Sequence, residues 1–233
     1  MENAREIYSS GAVTGWQLSS RSEWLAERGK RIGASDAGAL MGRNPWKTNV
    51  DLWLEKTGRL IPPDISEKPA VKYGTEAEAP IRSLFAVFHK YDLAVFYQPN
   101  NIFVNEDYPF AAASLDGWII EPDGEGAFKR RGSLEIKTCE IQNSGQWAEW
   151  DGKIPEHYYC QALWQMMVTG WDFAILRAEL RYRKGDDTYF STRDYFIPRD
   201  DAEIAQLAEA GKKFAEAVKN DIQPALILPE IEG

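Results

Sequence analysis

The segment SLEIKTCE, residues 133–140, places an acid and a base two residues apart in a stretch that reads as a β-strand. Because side chains of a strand alternate between its two faces, Glu135 and Lys137 share one face, opposite Leu134 and Ile136. Two interpretations stand open. Either the segment is an antiparallel strand whose acid and base are solvated and contribute little, or the shared face carries chemistry.

A second acid lies on the preceding predicted strand, SLDGWII, where Asp116 stands next to a glycine-made turn or bulge. Two carboxylates on neighbouring strands can hold a hard cation such as Mg²⁺, with the backbone carbonyl of Ile136 as a further oxygen ligand. Lys137 can then orient or polarise an attacking water. Because clustered carboxylates repel one another, we expect the site to be inert without metal.

The composition limits the alternatives. The 233 residues are 44% hydrophobic, show no linker, and are expected to form a single domain over residues 1–233. Two cysteines, Cys139 and Cys160, and two histidines, His89 and His157, are too few for a disulfide framework, a histidine-based metal cluster or a Ser-His-Asp triad. No apolar run approaches the ~20 residues of a membrane span, and no signal pattern opens the chain, so we expect a soluble, cytoplasmic protein without membrane partners.

The net charge of −9 argues at first against a polyanionic partner such as DNA. Three basic groups interrupt this acidic composition: Arg28, Lys30, Arg31, Arg43 and Lys47; Lys129, Arg130 and Arg131; and Arg177, Arg181, Arg183 and Lys184. Each group is either a solvated face or part of one basic groove.

Helix signals dominate the first part of the chain. SRSEWLAERGK and ASDAGALMG are predicted short helices, the second with Ser35 at its N-cap. Thr48 and Asp51 predict a capping box. A long amphipathic helix is predicted over about residues 75–91, and its buried stripe is expected to contain Ile81, Leu84, Phe85 and Phe88.

The remainder alternates strands with helices. Strands are predicted in LAVFYQ, NIFVN, ASLDGWII and SLEIKTCE, then in FAILRAELRY and TYFSTRDYFI. Helices are predicted in PEHYYCQALWQMMVTG and over about residues 200–219. This order predicts an α/β (α+β) fold, a central mixed β-sheet flanked by helices.

With Asp116 and Glu135-x-Lys137 in this order, the sequence resembles the PD-(D/E)XK nucleases, and among them the bacteriophage lambda exonuclease and YqaJ-type recombinase nucleases. Three further blocks carry the resemblance. RGKRIGASDAGALMG is similar to the family's R…I-x-A-S motif, which implies that Arg28 and Ser35 bind the 5′-phosphate of a DNA end, with Arg31 as a second candidate. A helix N-terminus at Ser35 would suit an anion, although an ordinary N-cap serine has the same appearance.

The second block, YGTEAEAPIRSLF, is similar to the family's G-T-x-x-E motif, which implies that Glu78 is a helix-borne acid of the metal site. Thr75 and Glu78 also fit a structural capping box, and both interpretations stand open. Val71 falls where the family carries an apolar wedge that splits the terminal base pair.

The third block, IPEHYYCQALWQMMVTGW, matches the family's Y-x-x-Q helix, with Gln161 near the metals and Tyr158 beside it. A glutamine amide there can hydrogen-bond a scissile-strand phosphate or a water. The alternative is a partly exposed polar residue on a helix whose aromatic side chains simply pack.

The resemblance implies a PD-(D/E)XK restriction-endonuclease-like core over about residues 24–180, followed by the C-terminal helix. It implies a 5′-to-3′ exonuclease that uses two Mg²⁺ ions, or Mn²⁺, to release 5′-mononucleotides from one strand of duplex DNA with a 5′-phosphorylated end. The 3′ single-stranded tail would serve phage-type recombination through an annealing protein, and the enzyme would be a ring-shaped homotrimer. Two rivals remain: an endonuclease with the same D…ExK core, and an inactive DNA-end-binding module. An iron–sulfur relative is disfavoured by the two cysteines.

Overall fold

The computed structural model describes residues 4–123 and 128–228 and contains two five-stranded sheets with helices packed against them. The strands, in chain order, are β1 (Arg5–Ser10), β2 (Val13–Gln17), β3 (Ile32–Gly33), β4 (Ala94–Phe96), β5 (Asn101–Asn105), β6 (Ala111–Ala113), β7 (Gly117–Pro122), β8 (Phe128–Ile141), β9 (Phe173–Lys184) and β10 (Asp187–Pro198). The helices are α1 (Arg21–Gly29), α2 (Ala37–Leu40), α3 (Asn49–Lys56), α4 (Pro69–Phe88), α5 (Ser144–Glu149), α6 (Glu156–Thr169) and α7 (Asp201–Lys219), and a 3-10 turn (Ala34–Asp36) precedes α2.

Sheet B, with the strand order β10-β9-β8-β7-β4, contains the segment SLEIKTCE, residues 133–140, on β8. β8 is its central strand; it runs parallel to β9 and antiparallel to β7. Sheet A has the order β1-β2-β5-β6-β3, with only β3 and β6 parallel. The predicted mixed α/β (α+β) class is confirmed. The prediction included one central sheet, whereas the structure contains two.

Helix α6 joins the two sheets into one core. It packs on β5 and β6 of sheet A and on β8 and β9 of sheet B. The largest apolar cluster therefore contains Val13 and Phe103 from sheet A, Trp164 from α6, and Leu176 and Ile197 from sheet B. The prediction of an aromatic-rich helix that ends at Gly170 is confirmed, since Gly170 has a φ of 70° at the helix end. The predicted start at Pro155 differs by one residue, because Pro155 is the N-cap and the helix begins at Glu156.

Helix α4 departs from the prediction at its start and on its outer face. It begins at Pro69, because proline suits the first helical position, and Thr75 lies inside the helix with its hydroxyl donating to the carbonyl of Val71 at 3.0 Å. Ile81 and Phe85 are buried against sheet B. Leu84 and Phe88 are 53% and 68% exposed, so their assignment to the buried stripe is wrong. Sheet B covers only one narrow face of this helix.

Two other local predictions have clear outcomes. The capping box of Thr48 and Asp51 is confirmed at α3. The N-cap assignment of Ser35 is wrong, because Gly33 is the cap of the 3-10 turn and the Asp36 carboxylate accepts the Gly33 N–H at 3.1 Å.

The β1–β2 hairpin and α5 were not predicted. Within the described residues, no helix is both long and apolar enough to cross a bilayer.

Candidate functional site

Asp116 and Glu135 meet where β7 begins beside β8. Gly117 pairs with Leu134, and the Asp116 carboxylate accepts the N–H of Ile136 at 2.8 Å. Because the N–H and carbonyl of one strand residue point to the same side, the Ile136 carbonyl also faces Asp116. The two acids and this carbonyl, predicted as metal ligands, therefore lie together at the open end of the β7–β8 pair.

The Glu135 carboxylate is buried, with the residue 2% exposed, and both of its oxygens are engaged. Its Oε1 receives Lys137 Nζ at 2.5 Å and Gln161 Nε2 at 2.6 Å, and its Oε2 receives Gln165 Nε2 at 2.5 Å. The interpretation of β8 as a strand with a solvated acid and base is wrong, because helix α6 packs over the face that carries Glu135 and its Gln161 and Gln165 amides contact the carboxylate.

The charged groups of this cluster shift one another's pKa values. Burial, followed by the negative charges of Glu135 and Glu78, raises the pKa of Asp116 well above its ordinary value. Burial acts to lower the pKa of Lys137, but the neighbouring Glu135 and Asp116 carboxylates outweigh it and raise this pKa, so the ammonium group remains charged. Burial and the neighbouring acids therefore both disfavour the ionised form of Asp116, whereas Lys137 stays charged.

Glu78 reaches the same place from helix α4 through an arginine. Arg82 Nη1 donates to Glu78 Oε1 at 3.0 Å and to the backbone carbonyl of Asp116 at 2.5 Å, while its guanidinium group lies 3.5 Å from the ring centroid of Tyr97. Since Thr75 lies inside α4, Glu78 is not the acidic partner of a capping box. Its carboxylate faces the site.

Arg28 and Ser35 form another part of the site. Arg28 Nη2 donates to Ser35 Oγ at 2.6 Å, and its guanidinium group lies 5.0 Å from the ring centroid of Trp24. Arg31 turns away toward Glu27, with an Nη1–Oε2 distance of 3.8 Å. Ser35 therefore hydrogen-bonds with Arg28, whereas Arg31 pairs with Glu27.

One cavity of about 430 Å³ connects these groups. Its lining includes the predicted site residues Arg28, Ser35, Glu78, Asp116, Glu135, Lys137 and Gln161. Val71 lies half-buried near the start of α4, apart from this lining. Of the three basic groups, only Arg28 lines the cavity, while Lys47, Arg130 and Arg177 pair with acids elsewhere. These groups do not form one basic groove within the chain.

Sequence reasoning missed Gln165 and Arg82. Gln165 is one helical turn after Gln161, so the two amides lie on the same face of α6, and this spacing was the available signal. Arg82 follows Glu78 by four residues, which is the usual spacing of a helical ion pair. Neither spacing reveals that Gln165 contacts Glu135 on β8 or that Arg82 contacts the carbonyl of Asp116, just before β7.

The donor set suits a hard divalent cation completed by substrate. Among residues 4–123 and 128–228, no group of three or more His, Cys, Asp or Glu side chains is arranged to hold a metal ion. Mg²⁺ is commonly held by one or two carboxylates together with water and phosphate oxygens. Asp116 and Glu135 supply two such carboxylates. Burial is the main cause of the raised pKa of Asp116, and a cation would relieve the second cause, the negative charges of Glu135 and Glu78.

Comparison with known proteins places this site in context. The model of the YqaJ-like viral recombinase domain matches residues 23–172. An uncharacterized protein YqaJ of Bacillus subtilis is 35% identical over 151 residues, which are 65% of this chain and 43% of that protein. An uncharacterized protein of Acanthamoeba polyphaga mimivirus, R354, is 28% identical over 156 residues, 64% of this chain and 27% of that protein. The match thus spans less than half the length of either relative.

Among solved structures, the fold is similar to that of an alkaline exonuclease from Laribacter hongkongensis, with a TM-score of 0.63 and 21% sequence identity. The similarity covers 86% of this chain and 93% of the exonuclease.

Proposed function

Because this chain belongs to the YqaJ-like viral recombinase domain family, we propose that it is a metal-dependent nuclease that acts on DNA. More specifically, it is an exonuclease that degrades one strand of a linear duplex in the 5′-to-3′ direction from a 5′-phosphorylated end. The observation that supports this proposal is the single cavity that holds the Asp116–Glu135–Lys137 cluster together with Arg28 and Ser35.

Asp116, Glu135 and the Ile136 carbonyl would hold the divalent cation, with Glu78 as a further acid. Two Mg²⁺ ions are proposed, and Mn²⁺ would substitute. The bound cation supplies Lewis-acid stabilisation of the charge on the scissile phosphate.

Lys137 holds and orients the attacking water through its ammonium group, which remains charged beside the two acids. The Gln161 amide donates to a phosphate oxygen of the cleaved strand. The water oxygen bonds to phosphorus as the bond from phosphorus to the 3′-oxygen breaks. The water gives its proton to solvent, and the 3′-oxygen takes a proton from solvent and leaves as a hydroxyl. The product is a 5′-mononucleotide, and the shortened strand carries a new 5′-phosphate.

Arg28 and Ser35 bind that 5′-phosphate after each step. The guanidinium group offers charge-assisted hydrogen bonds to phosphate oxygens, and the Ser35 hydroxyl already lies 2.6 Å from it. A 5′-hydroxyl end lacks the charge that this pair recognises. The preference for phosphorylated ends therefore follows from these two side chains.

Assembly as a homotrimeric ring around DNA, with a single-strand annealing protein as partner, belongs to the same proposal. A ring would reconcile the net charge of −9 with DNA binding, because basic residues would face the channel and acids the exterior. Light scattering at micromolar concentration tests this part, since a monomeric mass would contradict it.

The enzymatic proposal is tested with linear and closed circular duplexes of one sequence, each with Mg²⁺ or with chelator. Asp116→Asn is the matched variant, because it keeps the shape of the side chain and removes its charge. We expect degradation of the linear DNA by the parent protein with Mg²⁺ alone. Cleavage of the closed circle would indicate an endonuclease, and binding without product would indicate an end-binding module.

A further inference from the structure

We propose that Gln165 is a positioning residue that fixes the orientation of the Glu135 carboxylate, so that Oε1 faces the cavity. The inference rests on the proposed function for the assignment of Glu135 as a metal ligand. It concerns a different residue, one that lies behind the cavity wall.

The contact is made inside the protein. Gln165 is 0% exposed, and its Nε2 donates to Glu135 Oε2 at 2.5 Å. Oε1 of the same carboxylate faces the cavity, where Lys137 and Gln161 contact it. Gln165 therefore holds the rear oxygen, and two groups of the cavity wall hold the front one.

A glutamate needs such a contact if its carboxylate is to keep one orientation. The terminal torsion of a glutamate side chain is broad and roughly two-fold, so the backbone and rotamer alone do not fix the plane of the carboxylate. A donor at the rear oxygen selects one orientation. Partners behind metal-binding groups have this effect in other sites, and their removal typically weakens metal binding by about 10–100-fold.

The carbonyl oxygen of the Gln165 amide, Oε1, supports a specific role for the contact with Glu135. Its Oε1 is buried and has no hydrogen-bond partner among the described residues. A buried carbonyl without a partner destabilises the fold, and an apolar side chain of similar length would remove that cost. A glutamine used only for packing would therefore be a poor choice at this position, whereas a donor to Glu135 requires the amide.

The test replaces the amide by an apolar side chain of similar length, Gln165→Met. Met167→Leu is the matched control, because Met167 is a buried residue of the same helix that packs in the core. Binding of Mn²⁺ in the absence of DNA is followed by the paramagnetic resonance signal of the free ion, with Asp116→Ala as the reference for a lost site. Melting temperatures are measured in chelator.

We expect Gln165→Met to bind Mn²⁺ at least about tenfold more weakly than the parent protein, with a melting temperature no lower than that of Met167→Leu. On linear DNA, its kcat falls while its KM for DNA ends stays unchanged. If Gln165→Met does not fold, Gln165→Leu takes its place with the same expected loss of affinity.

Parental Mn²⁺ affinity in a folded Gln165 variant would overturn the inference alone. A parent protein that binds Mn²⁺ through Asp116 yet degrades no DNA would contradict the proposed function, and the Gln165 comparison would still decide the inference. A parent protein that binds no Mn²⁺ would overturn both.

Discussion

Lys137 is the residue at which the proposed chemistry and a simple ion pair differ most clearly. It contacts Glu135 at 2.5 Å, and its Nζ lies 4.8 Å from the ring centroid of Tyr158. Because its proposed role is to orient water, Lys137→Met should lower the single-turnover rate of cleavage by about 10²–10⁴-fold. Binding of a 5′-phosphorylated duplex end should change little, since Arg28 and Ser35 remain.

Rapid quench with labelled DNA measures that rate, and fluorescence anisotropy in Ca²⁺ measures end binding. Normal cleavage by Lys137→Met would contradict the catalytic role and would leave Lys137 only as an ion-pair partner of Glu135.

His157 provides a pH-dependent prediction about stability. Burial, and secondarily the charge of Lys137, lowers the pKa of His157 to about 4 from 6.5. Between these values the unfolded chain binds a proton that the folded chain does not, so the free energy of unfolding falls as the pH falls. This one group contributes at most about 1.4 kcal/mol per pH unit.

His157→Phe keeps an aromatic ring between Trp46 and Tyr158 and removes the titration. Urea unfolding at several pH values from 7 to 4 should therefore show a smaller loss of stability in the variant than in the parent. Parallel curves would contradict the assigned pKa.

At the residue scale, the sequence predicted which side chains share a strand face but not which of them are buried. The alternation along SLEIKTCE correctly put Glu135 and Lys137 side by side. Glu135 is buried because α6 packs over it, and α6 comes later in the chain, so the residues around Glu135 give no sign of this burial. For the same reason Gln165 could not be distinguished from a core residue of an aromatic-rich helix.

At the scale of elements, a buried asparagine fixes the segment that leads into Asp116. Asn101, at the start of β5, donates to the carbonyl of Leu115 at 2.8 Å and accepts the N–H of Leu115 at 2.8 Å. It also donates to the carbonyl of Gln98 at 2.9 Å. Since Leu115 directly precedes Asp116, this side chain holds the segment between β6 and β7 that carries the proposed metal-binding acid.

Asn101→Ala should destabilise the fold by about 2–3 kcal/mol, because backbone groups of Leu115 lose their partner. The matched variant is Asn49→Ala, which removes a similar pair of bonds to Ala225 and Ile227 away from the cavity. Denaturant unfolding should show a loss in both variants, and nuclease assays should show a large additional loss only for Asn101→Ala. Equal activity of the two folded variants would contradict a role of Asn101 in positioning Asp116.

Helix α4 shows why element boundaries were harder to predict than element types. Two start signals compete within a few residues: Pro69 at a first helical position, and Thr75 with Glu78 as a capping box. Both are local and comparable in strength. Packing of Ile81 and Phe85 on sheet B is compatible with either start, and the earlier one gives the longer helix that contains Val71.

At the scale of the whole molecule, we predict that residues 1–233 form one cooperative domain. The largest apolar cluster contains residues of both sheets, with α6 in contact with each, so neither sheet has a separate core of that size. Differential scanning calorimetry should show one transition with equal calorimetric and van't Hoff enthalpies. Two resolved transitions would indicate that the sheets belong to separate folding units.

The charge distribution was only partly predictable, because pairing depends on tertiary contacts. The sequence shows three basic groups, but Arg43, Arg130 and Arg181 each pair with an acid that is distant in sequence or on a neighbouring strand. Arg28 is the member that enters the cavity, with Trp24 beside it. The net charge of −9 taken alone argues against DNA as a ligand, although Arg28 places a positive charge at the cavity.

The proposed function is best tested by strand-resolved digestion of a linear duplex that carries a 5′-phosphate on one end and a 5′-hydroxyl on the other, with each strand labelled separately. With Mg²⁺, we predict rapid loss of the 5′-phosphorylated strand alone, as mononucleotides, and no loss in chelator or with Asp116→Asn. Arg28→Met should reduce the difference between the two strands, because the phosphate loses its charged partner. Equal degradation of both strands by the parent protein, or intact DNA under every condition, would contradict the central claim that one cavity joins a hydrolytic centre to a 5′-phosphate site.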